Sequence, residues 1–267
     1  MTDLDESLER LAAKIAGEDA LGTSRGAWRA AALVHDQAVL VRRERGNDAA
    51  LALYEEAAQR LVGRSDSGPR SMWISTMNTI AVIHMEHGRY AESQAAAEVL
   101  VQEHFDDAPL DAAEAIANAT LLLARLLKDV GDRTGALALL DRLIERYGQP
   151  GIPGHLNTRA AATLDKGWIR SKHGDANGAQ RCYTTVIELL GDQEDVDLRY
   201  KVVAASIWKA DLLCEQGLLG EARALCERVV QGYADDDDPE IHEFVAWART
   251  VLDELSRGSR RRWPWSR

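Results

Sequence analysis

The sequence predicts an all-α chain, a solenoid of five helical hairpins with a capping helix at each end. Three observations carry that reading. Only six prolines and two phenylalanines occur in 267 residues, beside an excess of Ala, Leu, Glu and Arg, whose side chains lose little rotamer freedom in a helix. Glycines at 46, 88, 131, 174 and 217 recur at intervals of 42, 43, 43 and 43 residues, each between a longer and a shorter segment of helical apolar periodicity. No Pro/Ser-rich linker divides the chain, although its length exceeds the roughly 150 residues of one typical domain.

The repeat fixes the elements in order. Residues 3–16 form a polar-faced amphipathic helix. First helices are expected near 24–45, 69–87, 109–130, 153–173 and 195–216, and their partners near 48–62, 90–104, 133–147, 176–190 and 219–233. A chain that reverses sharply after a helix needs a residue that adopts positive φ, and the glycine column supplies it. A second column, Ala50, Ser93, Ala136, Ala179 and Ala222, places a small residue early in each second helix, where two backbones can approach. Five residues before each glycine lies Val41, Ile83, Leu126, Ile169 or Leu212, an unbroken apolar column. Pro239–Leu255 reads as a last helix, with Asp238 as N-cap and Pro239 in its first turn. The domain plan is thus residues 1–23 as N-terminal cap and loop, 24–234 as five repeats, 235–256 as C-terminal cap, and 257–267 as a basic tail outside the array.

The tandem G-x-x-x-x-A step between paired helices, as in Gly131 to Ala136 and Gly174 to Ala179, resembles the tetratricopeptide repeat, in its long-repeat bacterial form. The resemblance covers about residues 24–234. It extends to a small position seven before each glycine, here Val39, Ala81, Ala124, Gly167 and Ala210. The family's usual Trp eleven before glycine is replaced by His35, Met77, Thr120, Thr163 and Ser206, and its usual Leu eight before is Lys166 and Lys209 in two repeats. The unit is 43 residues long where the common form has roughly 34. The resemblance implies a right-handed α-α superhelix whose first helices line a concave surface.

It also implies where a partner would bind. Carried over from the family's inward positions, the candidate contact residues are Asn78, Val82, Asn118, Leu121, Arg125, Lys128, Leu164, Trp168, Ile207 and Asp211. Leu121, Leu164 and Ile207 would form an apolar row, with Val82 and Trp168 beside it and charges at the margins. That arrangement suits an amphipathic helix or an extended peptide. The same aliphatic residues would equally serve to pack adjacent repeats together. Asn78, Asn118, Arg125 and Lys128 invite comparison with the clamp by which some related repeats grip a C-terminal carboxylate, but residue type and position do not coincide across successive repeats as that clamp requires. The expected function is a protein–protein adaptor or scaffold. A peptide-sensing regulator, and a peripheral tether working through the tail, are the alternatives.

Other chemistry is not indicated. The sequence contains no P-loop, dinucleotide-binding fingerprint, HExxH, nucleophile elbow, zinc spacing or EF-hand loop, so no catalytic, cofactor or metal site is expected. His84 and His87 share a helical face without a third ligand nearby in sequence. Cys182, Cys214 and Cys226 read as reduced core thiols. No segment approaches the roughly 18 apolar residues of a membrane span, and the acidic start lacks the features of an export signal, so cytoplasmic residence is expected. A net charge of −11 argues against nucleic acid as a partner of the body. The tail has the opposite sign: residues 257–267 hold five arginines and no acid. Arg260, Arg261, Arg262, Trp263 and Trp265 would suit an anionic membrane surface, where basic residues and indoles settle at the interface, or nucleic acid, or an acidic protein surface, including that of the array itself.

Overall fold

The computed structural model describes residues 3–191 and 195–257. Over these residues the chain is all-α. The helices are α1 (Asp3–Ala20), α2 (Ser24–Arg45), α3 (Asn47–Leu61), α4 (Ser67–Glu86), α5 (Tyr90–His104), α6 (Ala113–Asp129, entered through a 3-10 turn at Leu110–Ala112), α7 (Arg133–Tyr147), α8 (His155–Lys172), α9 (Ala176–Leu190), α10 (Val196–Glu215), α11 (Leu219–Tyr233) and α12 (Pro239–Ser256). All five glycines of the repeat column have positive φ, from 69° at Gly88 to 90° at Gly131.

Four of the turns close the same way. The residue after glycine donates its N–H to the carbonyl five positions back: Arg89 to His84, Asp132 to Leu127, Asp175 to Arg170 and Leu218 to Leu213, at 2.8–2.9 Å. These bonds satisfy carbonyls that the end of a helix leaves without partners. The first turn differs. Gly46 donates to Arg42, and α3 begins at the next residue, which explains the single interval of 42. The one-residue contraction also shifts register, and here the small-residue column needs correction: Val39 is 49% exposed, while Ala38 is completely buried and holds the small position of that helix.

The chain divides into two compact units, residues 1–132 and 133–267. In the first, α2/α3 and α4/α5 are antiparallel hairpins, α1 packs on α2, and α6 packs on α4 and α5. No residue of α1 is fully buried. Leu8 joins the cluster formed by Ala38, Val41, Ala50 and Tyr54, and surface ion pairs from Asp5 to Arg45 and Asp19 to Arg60 (both 2.9 Å) hold its ends, each worth about 0–1 kcal/mol.

In the second unit α7 packs on α8, α8/α9 and α10/α11 are hairpins, and α12 packs on α11 and α10. Among the described residues α8, α10 and α12 adjoin one another in turn while α9 and α11 do not. The layer of first helices is therefore the tighter one and forms the inside of this unit's bend. Hydroxyl residues in place of the family's Trp permit the approach: Thr163 and Ser206 are buried and donate to the carbonyls of Arg159 and Val202 in their own helices. The two lysines that replace the family's Leu also repeat one geometry. Lys166 pairs with Asp141 and Lys209 with Thr184, so each reaches the second helix of the preceding hairpin. The last helix buries Ile241, Val245, Ala248 and Val251. The acidic run before it caps that helix, the Asp238 carboxylate accepting from the N–H of Glu240 (2.7 Å) and Ile241 (3.2 Å).

An alanine at Gly217 (φ 77°) must adopt a left-handed conformation that costs about 1–2 kcal/mol. Gly217→Ala is expected to lower the urea unfolding midpoint accordingly, whereas Gly220→Ala, on helix α11 with open space around the new methyl, should leave it unchanged or raise it.

Candidate functional site

The inner layer of the second unit carries a cavity of ≈ 760 Å³. Three helices wall it. Trp168, Ser171 and Lys172 come from one face of α8, Tyr200, Trp208 and Asp211 from α10, and Glu240, Glu243, Phe244 and Trp247 from one face of α12, with Tyr183 of α9 at the floor. Six of these eleven side chains are aromatic. The rings are partnered: Tyr183 lies 5.8 Å from Trp208 and Tyr200 lies 5.6 Å from Phe244, centroid to centroid, and the Lys172 ammonium sits 5.9 Å over the Trp168 ring.

The floor depends on a missing side chain. A Cβ on Gly167 would lie 2.5 Å from Tyr183 Cε1 and 3.1 Å from Cys182 Cβ. Glycine at this position lets the Tyr183 ring rest on the backbone of α8, beside Trp168. Burial pushes the Tyr183 phenol up from its ordinary value, so the floor is neutral.

The walls are acidic. Asp211, Glu240 and Glu243 face the cavity, and among the described residues Lys172 is the one basic side chain that lines it. The Asp211 carboxyl is pushed up to about 6, first by burial and then by Glu215, against the pull of Lys172. Its Oδ1 is buried without a hydrogen-bond partner, a costly state that an incoming N–H donor would relieve. All three cysteines are free, burial pushes the Cys214 thiol up to about 11 and that of Cys226 to about 12, and no group of three His, Cys, Asp or Glu among the described residues could hold a metal ion.

The inward residues expected from sequence fall into both units. In the first, Asn118 and Arg125 are exposed on α6, Asn78, Val82 and Lys128 are half-buried, and Leu121 is buried; Val82 packs with Met85 against Ala81, Leu122 and Leu126, and Lys128 pairs with Asp129 at 3.0 Å. In the second, Trp168 and Asp211 line the cavity, while Leu164 and Ile207 are buried behind it in the contacts between hairpins. Three-residue and four-residue spacing along α12 (240, 243, 244, 247) is the signal that could have joined that helix to the site. The tail residues Arg260, Arg261, Arg262, Trp263 and Trp265 lie outside the described residues.

A tandem array of helical hairpins with a cavity on its inner layer defines a helical-repeat protein. The Tetratricopeptide repeat family model matches residues 164–239, from α8 to the start of α12, so that part of the chain is similar to tetratricopeptide repeats. Among solved structures it is similar to BtubC (BKLC) from P. vanneervenii, with a TM-score of 0.57 at 13% identity over 96% of this chain and 93% of that one, a likeness of fold. TTC0263, a thermophilic TPR protein of Thermus thermophilus, aligns at 17% identity and a TM-score of 0.49 over 80% of this chain and 95% of that one. No curated protein sequence matches the chain. No helix among the described residues is long and apolar enough to cross a membrane.

Gly167→Ala adds a methyl where no space exists. Overpacking of about 1–3 kcal/mol outweighs the roughly 0.5–1 kcal/mol that Ala gains in a helix, so chemical denaturation should show a net loss of about 1–2 kcal/mol. Asp211 gives a pH signature. Its folded-state value of about 6 lies above its ordinary 3.8, so the folded state holds the proton more tightly, and the stability this gives at low pH is lost as pH rises between those values. The groups facing it are Glu215 on its own helix, Lys172 on α8, Tyr183 on α9, and Glu240 and Glu243 on α12. The stability difference between Asp211→Asn and wild type should therefore shift in favour of the variant from pH 4 to 6.5, and a flat difference would refute the assignment.

Proposed function

We propose that this protein is an interaction adaptor that holds a basic side chain of a partner polypeptide in the cavity between α8, α10 and α12. The unpartnered, buried Oδ1 of Asp211 inside an aromatic enclosure carries the reading. A guanidinium or ammonium entering there would donate to Asp211, and Glu240 and Glu243 would complement its charge from the opposite wall. Trp168, Phe244 and Trp247 offer ring faces, which attract cations most when the site is shielded from water. A basic partner is also what a chain of net charge −11 would draw by long-range attraction. Leu164 and Ile207 act from behind, by holding α8 and α10 at the spacing that leaves the cavity open. In the first unit, Asn118 and Arg125 are the exposed positions we assign to partner contacts, beside Asn78, Val82, Leu121 and Lys128.

Titration of short synthetic peptides, one arginine-rich and one with glutamines in place of arginines, tests the reading. The arginine peptide should bind and the glutamine peptide should not. Asp211→Asn removes a charge-assisted bond of about 1.5–3 kcal/mol, so affinity should fall about 10- to 100-fold with the thermal midpoint retained, and Trp168→Ala should weaken binding in the same direction. Equal affinity in wild type and both variants would show that the cavity is not the site.

A further inference from the structure

The cavity and the end of the chain have complementary chemistry and lie on the same helix. The α12 helix contributes Glu240, Glu243, Phe244 and Trp247 to the cavity and ends at Ser256. Beyond it come Arg257, Arg260, Arg261, Arg262, Trp263, Trp265 and Arg267, with no acid among them. The helix places Trp247 roughly 15 Å, and Glu243 about 21 Å, back from Arg257 at 1.5 Å per residue. An extended chain covers at most about 3.3–3.6 Å per residue, so six residues beyond Arg257 span roughly 20 Å and eight span about 28 Å. An extended segment of that length is thus long enough to span the distance back to the level of Trp247 and Glu243.

We propose that the segment Arg257–Arg267 is an occupant of this cavity in its own chain, with an arginine against Asp211 and Glu243 and an indole against the aromatic walls, and that it holds the site closed to an external basic peptide until that peptide displaces it. The inference rests on the cation-accepting reading of the cavity and adds the identity of the first ligand and a mode of regulation. Three facts favour the chain's own tail over an unrelated ligand. Its charge opposes that of the cavity, its arginine and tryptophan are the side chains an acidic aromatic enclosure prefers, and tethering through α12 gives it a local concentration in the millimolar range. A free peptide competes against that concentration. Because the pairing is ionic and near the surface, salt should loosen it.

The test uses the full chain. A fluorescently labelled synthetic peptide of residues 257–267 is titrated into wild type, into the charge-reversed chain Arg260→Glu/Arg261→Glu/Arg262→Glu, and into the chain Trp263→Ala/Trp265→Ala. Release of the internal competitor should make the charge-reversed chain bind the peptide at least tenfold more tightly than wild type, with the tryptophan variant between them. Adding Asp211→Asn to the charge-reversed chain should remove the gain. Equal affinity of wild type and charge-reversed chain would overturn self-occupancy while leaving the cavity reading intact. A tenfold gain that Asp211→Asn does not reduce would place the tail elsewhere and overturn both. Two further measurements separate other occupants. Sedimentation at increasing concentration should show no dimer that the tail substitutions abolish, since such a dimer would mean docking into a second copy. Binding to phosphatidylserine-containing vesicles that depends on the tail, together with unchanged peptide affinity in the charge-reversed chain, would make the tail a membrane contact and overturn the proposal.

Discussion

The close approach of two helices at one small residue, four or five positions after a glycine turn, is the constraint on which the hairpins α2/α3, α4/α5, α8/α9 and α10/α11 depend. Ala50, Ser93, Ala136, Ala179 and Ala222 are all completely buried. Even the one hydroxyl among them is used inward, Ser93 Oγ donating to the Ala81 carbonyl at 2.8 Å. A larger side chain at Ala50, Ser93, Ala179 or Ala222 would separate the two helices of its pair. The position seven residues further along stays buried as well, at Ala57, Leu100, Leu143, Val186 and Val229. Glycine makes the reversal possible, and the small residue sets the distance at which the returning helix lies.

That spacing has a consequence on the opposite side of the second unit. With α8, α10 and α12 adjoining in turn and Gly167 letting Tyr183 of α9 rest against α8, large aromatic side chains of these helices stand on the inner surface. Trp168, Tyr200, Trp208, Phe244 and Trp247 do so, and they leave a space between them. The carboxyl that ends up at its edge is Asp211. Partial burial among rings, next to Glu215, raises its proton affinity, and the same burial leaves one of its oxygens without a donor. The features that suggest a ligand thus arise from the packing that builds the array.

The hairpins were legible because glycine and small residues must recur wherever the backbone reverses, and the helices fall close to where the 43-residue period places them. The first repeat shows the limit of counting. Its turn is one residue tighter, so Ala38 rather than Val39 occupies the small position, and only the backbone reveals the slip. The candidate contacts show another limit. Leu121, Leu164 and Ile207 sit at inward positions by register, yet they are buried, because periodicity reports which face of a helix is apolar and not whether a neighbouring helix covers it. Trp168 and Asp211 were named by the same rule and line the cavity.

By itself, the sequence determined the class of fold, the helix boundaries to within a few residues, the acidic body and the basic end, because these follow from local conformational preference, spacing and charge. Tertiary structure alone decided that α12, which reads as a cap, is also a wall of the cavity, and that Tyr183, Tyr200, Trp208 and Glu243 meet there. Those residues come from three helices, and their convergence with Trp168 of a fourth depends on how closely successive hairpins stack, a quantity set by the summed volumes of side chains in contact.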